Sequence, residues 1–266
     1  EVRRYRGAGE WNEKVATIYG MTTRMDKGIA AVMECLQETG RDRDTLVVFT
    51  SDNGPATYDG MDRFNCGLRG GKSHTYEGGI RVPGIIRWPG VLPAGKQYDG
   101  LFHFCDWLPT LLDAAQAIAL PSLPLDGISQ WGSLLGEKDA QLPQRFWQWS
   151  RYAPVPNFNA AMRDGNWKLV RPWVEDIMWS DPREMEIDRE LLRNPESLDR
   201  SWIGRPFPER ILPEPPPVEL YDLSCDPGER HNLAEEMPSR THKMLRELET
   251  WFDSVEGERQ QISPVF

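Results

Sequence analysis

The chain has 266 residues, enough for one large domain or for a medium domain with a smaller one beside it. It carries 41 acidic against 31 basic residues, a net charge of −10, and it lacks the basic cluster that nucleic-acid binding needs. Its four cysteines form no CxxC pair or Cys/His cluster, and no stretch approaches the roughly 18 apolar residues of a membrane span. These features exclude a zinc ribbon, a thioredoxin-type site and a transmembrane helix.

A helix followed by a strand opens the chain. The spacing of apolar residues predicts a helix over 11–40, because they recur on one face. That face consists of Ile18, Met25, Ile29, Val32 and Leu36. The run Leu-Val-Val-Phe-Thr at 46–50 is typical of a buried parallel strand. Open α/β sheets bind their ligands at the carboxyl ends of such strands, so residues 51–55 are expected to lie near a site.

The next elements flank a glycine-rich loop at 67–79, which reads GLRGGKSHTYEGG. A second short strand is predicted at 84–88, between two prolines. A helix is predicted over 105–119, with Asp106 as its N-cap and Pro109 tolerated in its first turn.

The second half has the pattern of a small antiparallel sheet with a packed helix. Residues 160–170 predict a hairpin with an Asp-Gly turn, 218–223 predict another strand, and 240–255 predict a closing helix. The stretch 172–217 is long, charged and rich in proline, which is typical of a functional or mobile loop. We therefore predict a first domain over 1–140 and a C-terminal subdomain over 141–266, with 172–217 as an insertion.

Three polar residues after the first strand could bind ions. Asp52 and Asn53 offer a carboxylate and an amide oxygen, which suit a hard cation such as calcium, although Asp-Asn-Gly alone is equally the sequence of a turn. Lys72 lies among glycines, where an ammonium beside open backbone N–H groups could bind a tetrahedral oxyanion. An isolated lysine in such a loop can also be merely solvated.

Several blocks in this order resemble the sulfatase family of the alkaline phosphatase superfamily. They are YGMTTRMDKGIAAVMECLQETG, TLVVFTSDNGP, GLRGGKSHTYEGGIRVPGIIRWPG, DWLPTLLDAA, and the pair RDGNWKLV and ELYDLSCDPGERHNLA. The resemblance covers most of the chain. It implies an α/β fold, in which the C-terminal part of a sulfatase-like mixed-sheet domain is followed by a small antiparallel sheet plus helix subdomain.

The resemblance also implies roles for individual residues. Asp52 and Asn53 would be two ligands of a calcium ion, and Lys72 would contact the sulfate oxygens. The family's nucleophile is a formylglycine made from Cys or Ser in a C/S-x-P/A-x-R motif, which is expected upstream of residue 1. The nearest string here, Cys225 to Glu229, has Glu where the motif needs Arg. This chain by itself is therefore expected to lack the nucleophile and to be inactive.

His74 and several tryptophans are further candidates. His74 is two residues after Lys72 and could act on the leaving group, or it could only orient the loop. Glu77 and Arg81 are expected to pair with each other or with backbone to hold the loop. Exposed aromatic rings could stack on a sugar, and the best placed for this are Trp173, Trp179 and Trp202 in the insertion. Burial in a small subdomain also explains the tryptophans, and it is the interpretation that we favour.

Sulfate ester hydrolysis is the function that the resemblance implies, with a sulfated small molecule or sulfated carbohydrate as substrate. Two alternatives stay open: a phosphodiesterase or phosphonate monoester hydrolase of the same superfamily, and a non-catalytic fragment or binding module. Asn53 favours the sulfatase, because an amide oxygen suits calcium whereas transition-metal hydrolases favour imidazole. The family further implies a missing N-terminal half of the same polypeptide as partner and a periplasmic or extracellular location.

Overall fold

A computed structural model describes residues 1–7, 13–56, 65–118, 124–197 and 208–262. Residue contacts divide the chain into two compact units, one made of 1–51 with 83–141 and the other of 52–82 with 142–266. The predicted domain boundary at residue 140 stays a prediction, although 52–82 belongs to the second of these units.

The described elements confirm the predicted α/β class. The helices are α1 (Val2–Tyr5), α2 (Glu13–Glu38), α3 (Glu77–Ile80), α4 (Trp107–Ala114), α5 (Trp131–Leu135), α6 (Pro182–Arg193) and α7 (Pro238–Gln261). The strands are β1 (Val47–Thr50), β2 (Gly84–Arg87), β3 (Arg145–Gln148), β4 (Ala160–Asp164), β5 (Trp167–Arg171) and β6 (Glu219–Asp222). Short 3₁₀ turns lie at Phe104–Asp106, Glu175–Met178 and Pro195–Ser197.

Helix α2 forms where the apolar period predicted it, but most of its apolar face is exposed. Met25, Ile29 and Val32 are 49%, 36% and 57% exposed. The buried part of the helix is its first two turns, where α1 packs so closely that a Cβ on Gly20 would lie 2.7 Å from Val2. Within the described residues, the rest of the stripe therefore presents hydrophobic side chains to solvent.

The expectation of a buried parallel strand at 46–50 is wrong in this structure. Strand β1 pairs antiparallel with β2, with Val48 opposite Ile86, and all four of its residues are only half-buried. The apolar run predicted burial on both faces, but in the described part of the chain β1 has one neighbouring strand. The polar segment that begins at residue 51 does follow the end of a strand, as expected.

The capping role predicted for Asp106 is also different. Helix α4 has no side-chain cap at Asp106. Instead His103 caps the 3₁₀ turn before it, and the Asp106 carboxylate accepts hydrogen bonds from His103 N at 2.8 Å and from Ile128 N at 2.9 Å. The buried carboxylate thus links the residues before α4 to the backbone at Ile128 and does not cap the first turn of α4.

The second unit is built on a four-stranded antiparallel sheet in the order β3-β4-β5-β6. The predicted hairpin at 160–170 is β4 and β5, joined at Gly165 in the left-handed region with φ of +60°. Strand β3, at one edge, was not predicted from the sequence.

Alternation of side chains along the strands gives this sheet two buried faces. On one face Met162, Leu169 and Leu220 pack against Met244 and Leu248 of α7. On the other face Ala161, Val170 and Tyr221 pack against Tyr76 of the glycine-rich loop. The sheet therefore supports a helix on one side and the candidate binding loop on the other.

The insertion at 172–217, which has the composition of a loop, also contains regular structure. It contains helix α6, whose N-cap is Asp181. The Asp181 carboxylate accepts a hydrogen bond from Arg183 N at 2.9 Å, and Pro182 lies in the first turn of the helix. None of the described helices is long and apolar enough to cross a membrane.

Candidate functional site

Two backbone hydrogen bonds bring the turn after β1 against the glycine-rich loop. Gly54 N donates to Gly79 O, and Lys72 N donates to Pro55 O, each at 2.8 Å. The turn carries Asp52 and Asn53, so the three residues that the sequence singled out lie in two adjoining segments of one unit.

Glycine is required where these segments touch. A Cβ on Gly54 would lie 1.8 Å from Gly78 O, and a Cβ on Gly79 would lie 2.0 Å from His74 O. Both distances are far inside van der Waals contact, so any side chain there would force the two backbones apart. The glycines of this loop thus serve close packing of backbone against backbone.

The side chains of Asp52 and Lys72 are exposed, and within the described ranges neither has a hydrogen-bond or ion-pair partner. The Asn53 amide nitrogen donates to Gly54 O at 2.8 Å, and its amide oxygen is the atom of the kind that a cation binds. No group of three or more His, Cys, Asp or Glu residues that could hold a metal occurs in the described part of the chain. Asp52 and Asn53 therefore make up at most part of a cation site.

His74 is held in one orientation by its neighbours. Its Nδ1 accepts a hydrogen bond from Gly71 N at 3.3 Å, and its ring lies 4.8 Å from the ring of Trp173. Burial lowers the pKa of His74, and the charge of Arg69 lowers it further. A neutral ring whose Nδ1 accepts carries its proton on Nε2, so His74 can donate a hydrogen bond from that atom.

A buried asparagine just before strand β4 contacts the backbone on both sides of His74. Asn159 is fully buried, and its Nδ2 donates to Ser73 O at 2.7 Å while its Oδ1 accepts from Thr75 N at 3.1 Å. This residue was not a candidate from the sequence.

A buried ion cluster holds the end of the same loop. Lys168 of β5 contacts the Glu77 carboxylate at 3.0 Å and the Glu229 carboxylate at 2.8 Å, and all three side chains are almost completely buried. Glu229 also accepts a hydrogen bond from Glu77 N at 2.6 Å. The predicted loop-holding role of Glu77 fits this geometry, but its ion-pair partner is Lys168 and not Arg81.

Burial and charge act against each other on these two carboxyl groups. Burial tends to raise the pKa of Glu77, but the charge and hydrogen bond of Lys168, together with nearby Arg163 and Arg81, outweigh it and lower the pKa. For Glu229 burial is the larger effect, and its pKa is raised despite Lys168. A single lysine between two carboxylates stabilises one ionised group more fully than the other.

A second polar cluster joins the loop to strand β6. The Arg69 guanidinium lies 4.0 Å from the centre of the Tyr76 ring and donates to the Tyr221 hydroxyl at 2.6 Å. The Tyr76 hydroxyl donates to Glu219 at 2.7 Å, and Arg69 also pairs with Glu219 at 3.1 Å. Burial and this carboxylate raise the pKa of Tyr76, so the phenol is a hydrogen-bond donor at neutral pH.

The structure separates the three candidate tryptophans. Trp173 is half-buried against His74, and its indole Nε1 is buried. Trp179 is 44% exposed and lies 6.5 Å from the Tyr152 ring, with Arg151 and Arg210 also beside that ring. Trp202 lies outside the described residues.

The residues that sequence reasoning missed are Asn159, Lys168 and Glu229. One signal was available, because Lys168 interrupts an otherwise apolar strand at a position that alternation places on a buried face. A lysine there needs a buried partner of opposite charge. Asn159 gave no comparable signal, since its partners are identified only by the fold.

Comparisons with known proteins agree with the sequence blocks. Residues 2–117 match the family model described as Sulfatase. Human Arylsulfatase A is 32% identical over 226 residues, which cover 84% of this chain and 40% of that protein. An N-acetylgalactosamine-6-O-sulfatase of Bacteroides thetaiotaomicron is 29% identical over 87% of this chain and 40% of its own length.

The structure of Ps i-CgsB in complex with a neocarrahexaose has the same fold, with a TM-score of 0.66 at 24% identity, over 91% of this chain and 44% of that one. The chain thus spans about two fifths of the length of the curated relatives described above.

Proposed function

Because this chain belongs to the sulfatase family, we propose that the protein containing it hydrolyses sulfate esters, with Lys72, Asp52 and Asn53 at the sulfate site. The observation that carries this proposal is the pair of backbone hydrogen bonds, Gly54 N to Gly79 O and Lys72 N to Pro55 O. They bring the backbone of the segment that carries the exposed Lys72 against the segment that carries Asp52, an exposed carboxylate that has no partner among the described residues. An unpaired cation and anion on adjoining loops fit a ligand that carries a metal ion and an oxyanion together.

Calcium is the metal that these donors suit. A carboxylate and an amide oxygen are hard ligands, and calcium binds six to eight such oxygens. Asp52 and Asn53 would supply two of them, and the remaining ligands are expected from residues beyond the described part of this chain. When bound, calcium would supply positive charge beside the sulfate oxygens. The nucleophile that the family implies, a formylglycine, is proposed to lie upstream of residue 1.

Lys72 and His74 would act on the sulfate and on the leaving group. Lys72 is the cation of this loop that is exposed and without a described partner, so its ammonium can neutralise sulfate oxygens as negative charge develops on them. His74 is neutral with its proton on Nε2, which suits a donor to the leaving-group oxygen better than a base.

The test is a comparison of esters and of variants in the full-length protein. We expect turnover of an aryl sulfate to exceed that of the matching aryl phosphate and phosphonate monoester. Lys72→Ala should lower kcat/KM for the sulfate about 10²- to 10³-fold, the usual effect of removing one donor from an anion-stabilising site. Lys138→Ala, at another exposed lysine, is the control and should leave kcat/KM unchanged. Preferred turnover of the phosphonate would favour the phosphonate monoester hydrolase instead.

Residues 1–266 alone are proposed to be inactive, because no C/S-x-P/A-x-R string occurs in them. Turnover by this segment would contradict the proposal that the nucleophile lies upstream of residue 1. No turnover by the full-length protein would favour the non-catalytic module. Export to the periplasm or the extracellular space is also proposed, and cell fractionation with an antibody to this chain would test it.

A sulfated carbohydrate is the substrate class we propose, which a relative named N-acetylgalactosamine-6-O-sulfatase supports. Trp179 is the best candidate for contact with a sugar ring, since it is exposed and lies beside Tyr152 and two arginines. Trp173 packs on His74, and its contribution would be to hold that ring. Trp179→Ala should raise KM for sulfated oligosaccharides but not for a small aryl sulfate, and an unchanged KM for every sulfated sugar would refute the contact.

A further inference from the structure

Asn159, the residue before strand β4, contacts the backbone of the proposed sulfate loop. We propose that Asn159 is a positioning residue, which holds the backbone of residues 73–75 so that Lys72 and His74 point to the same ligand. This inference rests on the proposed function for the identity of the ligand, but the hydrogen bonds that carry it are independent of that identity.

The side chain of Asn159 uses its full hydrogen-bonding capacity. Nδ2 donates to Ser73 O at 2.7 Å and to Trp149 O at 2.8 Å, and Oδ1 accepts from Thr75 N at 3.1 Å and from Thr75 Oγ1 at 3.3 Å. An amide has two N–H donors and two acceptor lone pairs, so all four are occupied. Because Asn159 and Thr75 are 0% and 2% exposed, water cannot replace these bonds without opening the packed sheet.

The backbone of Asn159 is fixed as firmly as its side chain. Its N–H donates to Pro172 O at 3.1 Å, and its carbonyl accepts from Trp149 N at 3.2 Å. Its φ is +44°, a left-handed conformation in which asparagine is several times more common than most residues. The residue therefore joins Trp149, which follows strand β3, to the start of the insertion and the loop at one buried point.

The loop itself needs such an anchor. Ser73, between Lys72 and His74, has a φ of +75°, which is strained for a residue with a side chain. Strained backbone persists only where surrounding contacts fix it. Asn159 binds the carbonyl of this strained residue and the N–H of Thr75, so it fixes the peptide planes on both sides of His74. Releasing them would let Lys72 and His74 reorient separately.

Asparagine satisfies this position where similar residues would not. Aspartate would place a second acceptor oxygen against the carbonyls of Ser73 and Trp149, and it would bury a charge. Glycine tolerates the left-handed φ but contributes no side chain. Asn159→Gly therefore removes the side-chain hydrogen bonds without adding backbone strain, which makes it the variant of choice.

The experiment measures loop geometry and ligand affinity in the full-length protein with calcium present. The ring nitrogens of His74 are observed by NMR, and binding of inorganic sulfate by calorimetry. In Asn159→Gly we expect the His74 ring to become a mixture of tautomers, because the turn that directs Gly71 N–H to its Nδ1 is released. Sulfate affinity should fall about tenfold and kcat/KM about 10- to 100-fold, as when reacting groups are misplaced by about 1 Å.

The control is Asn232→Gly, which makes the same chemical change elsewhere in this unit. Asn232 Oδ1 accepts from Leu220 N at 3.0 Å and from Ala234 N at 2.9 Å, both outside the loop. A merely structural role for Asn159 predicts that both variants lose stability and that neither alters the His74 tautomer. That result would overturn the proposal.

Two further outcomes are separable. If Asn159→Gly fails to fold, Thr75→Val is the alternative, because it removes only the hydroxyl hydrogen bond to Asn159. It should shift the His74 NMR signals in the same direction by a smaller amount. No shift would refute the positioning role of Asn159. If the protein neither binds sulfate nor hydrolyses sulfate esters, the proposed function fails. In that case the His74 tautomer still tests whether Asn159 positions the loop.

Discussion

At the scale of single residues, His74 shows how neighbours select one chemical form. Gly71 N–H occupies Nδ1, Trp173 covers one side of the ring, and Arg69 adds positive charge nearby. Protonation would require the ring to give up the Gly71 hydrogen bond and to hold a charge where it is half-buried. Each of these effects disfavours the cation.

We therefore expect His74 to titrate below 6.5, the ordinary histidine pKa. A folded-state pKa below the unfolded value means that the neutral ring contributes stability above pH 6.5, and that this contribution is lost as pH falls through the lowered pKa. The measurement is an NMR titration of the ring nitrogens. Trp173→Ala should move the pKa of His74 back toward 6.5 because it exposes the ring. A wild-type midpoint above 6.5 would contradict the described geometry.

Glu77 and Glu229 should respond to pH in opposite directions. The lowered pKa of Glu77 contributes stability above its unfolded value near 4.5, and this is lost as pH falls through the folded pKa. The raised pKa of Glu229 contributes stability below its unfolded value, and this is lost as pH rises through the folded pKa.

It follows that Glu77→Gln costs more stability than Glu229→Gln at pH 7, and that the difference disappears in acid. Urea unfolding of both variants at pH 7 and at a pH below the lowered pKa of Glu77 measures this. Equal costs at pH 7 would show that Lys168 stabilises both carboxylates alike.

At the scale of elements, strand β5 carries the charge that anchors the loop to the sheet. Lys168 lies between the carboxylates of Glu77 and Glu229, on the face opposite to α7. Removing one partner of a buried ion cluster leaves uncompensated charge, which is costly, whereas replacing the whole cluster with neutral groups of similar shape is often tolerated.

Lys168→Met should accordingly destabilise the protein by about 3–5 kcal/mol in urea unfolding. Lys243→Met is the matched control, because Lys243 is 58% exposed and its ion pairs are long, so its loss should cost no more than about 1 kcal/mol. Where Lys168→Met does not fold, the triple variant Lys168→Met, Glu77→Gln, Glu229→Gln should recover most of the stability. A triple variant no more stable than the single one would contradict an electrostatic origin.

The elements also show what the sequence could predict. Helix α2, helix α7 and the β4–β5 hairpin follow from local periods and turn residues; α2 and the hairpin lie within two residues of their predicted bounds, whereas α7 continues to Gln261, six residues past its predicted end. The candidate site residues were found from ordered sequence blocks. The contacts that support these residues could not be predicted from sequence blocks, because Thr75 and Asn159 are 84 residues apart and Glu77 and Lys168 are 91 residues apart. A pairing across such distances depends on the sheet register and not on local pattern.

At the scale of the whole chain, hydrophobic surface is exposed in the first unit. Met21, Met25 and Val32 of α2, Ile85 of β2 and Leu108 of α4 are all at least 49% exposed. Strand β1 has one neighbouring strand in the described part of the chain, so its other edge carries unpaired backbone groups. Surfaces of this kind favour association.

Residues 1–266 expressed alone should consequently aggregate or bind a hydrophobic dye. The double variant Met25→Lys, Val32→Glu should reduce dye fluorescence, because it places charge on the exposed stripe of α2. The control variant Met185→Lys, Leu192→Glu changes two exposed residues of α6 and should have little effect. A monodisperse wild-type sample that melts cooperatively and binds no dye would contradict the expectation.

The position of the insertion has a consequence for how such a protein can diversify. The insertion leaves the sheet at Pro172, whose carbonyl accepts the Asn159 backbone N–H, and it returns just before β6. Its length and composition can therefore drift over generations, while the strands that hold the glycine-rich loop stay in register. We expect new substrate preferences to evolve in this segment without a compensating change in the residues proposed to bind sulfate.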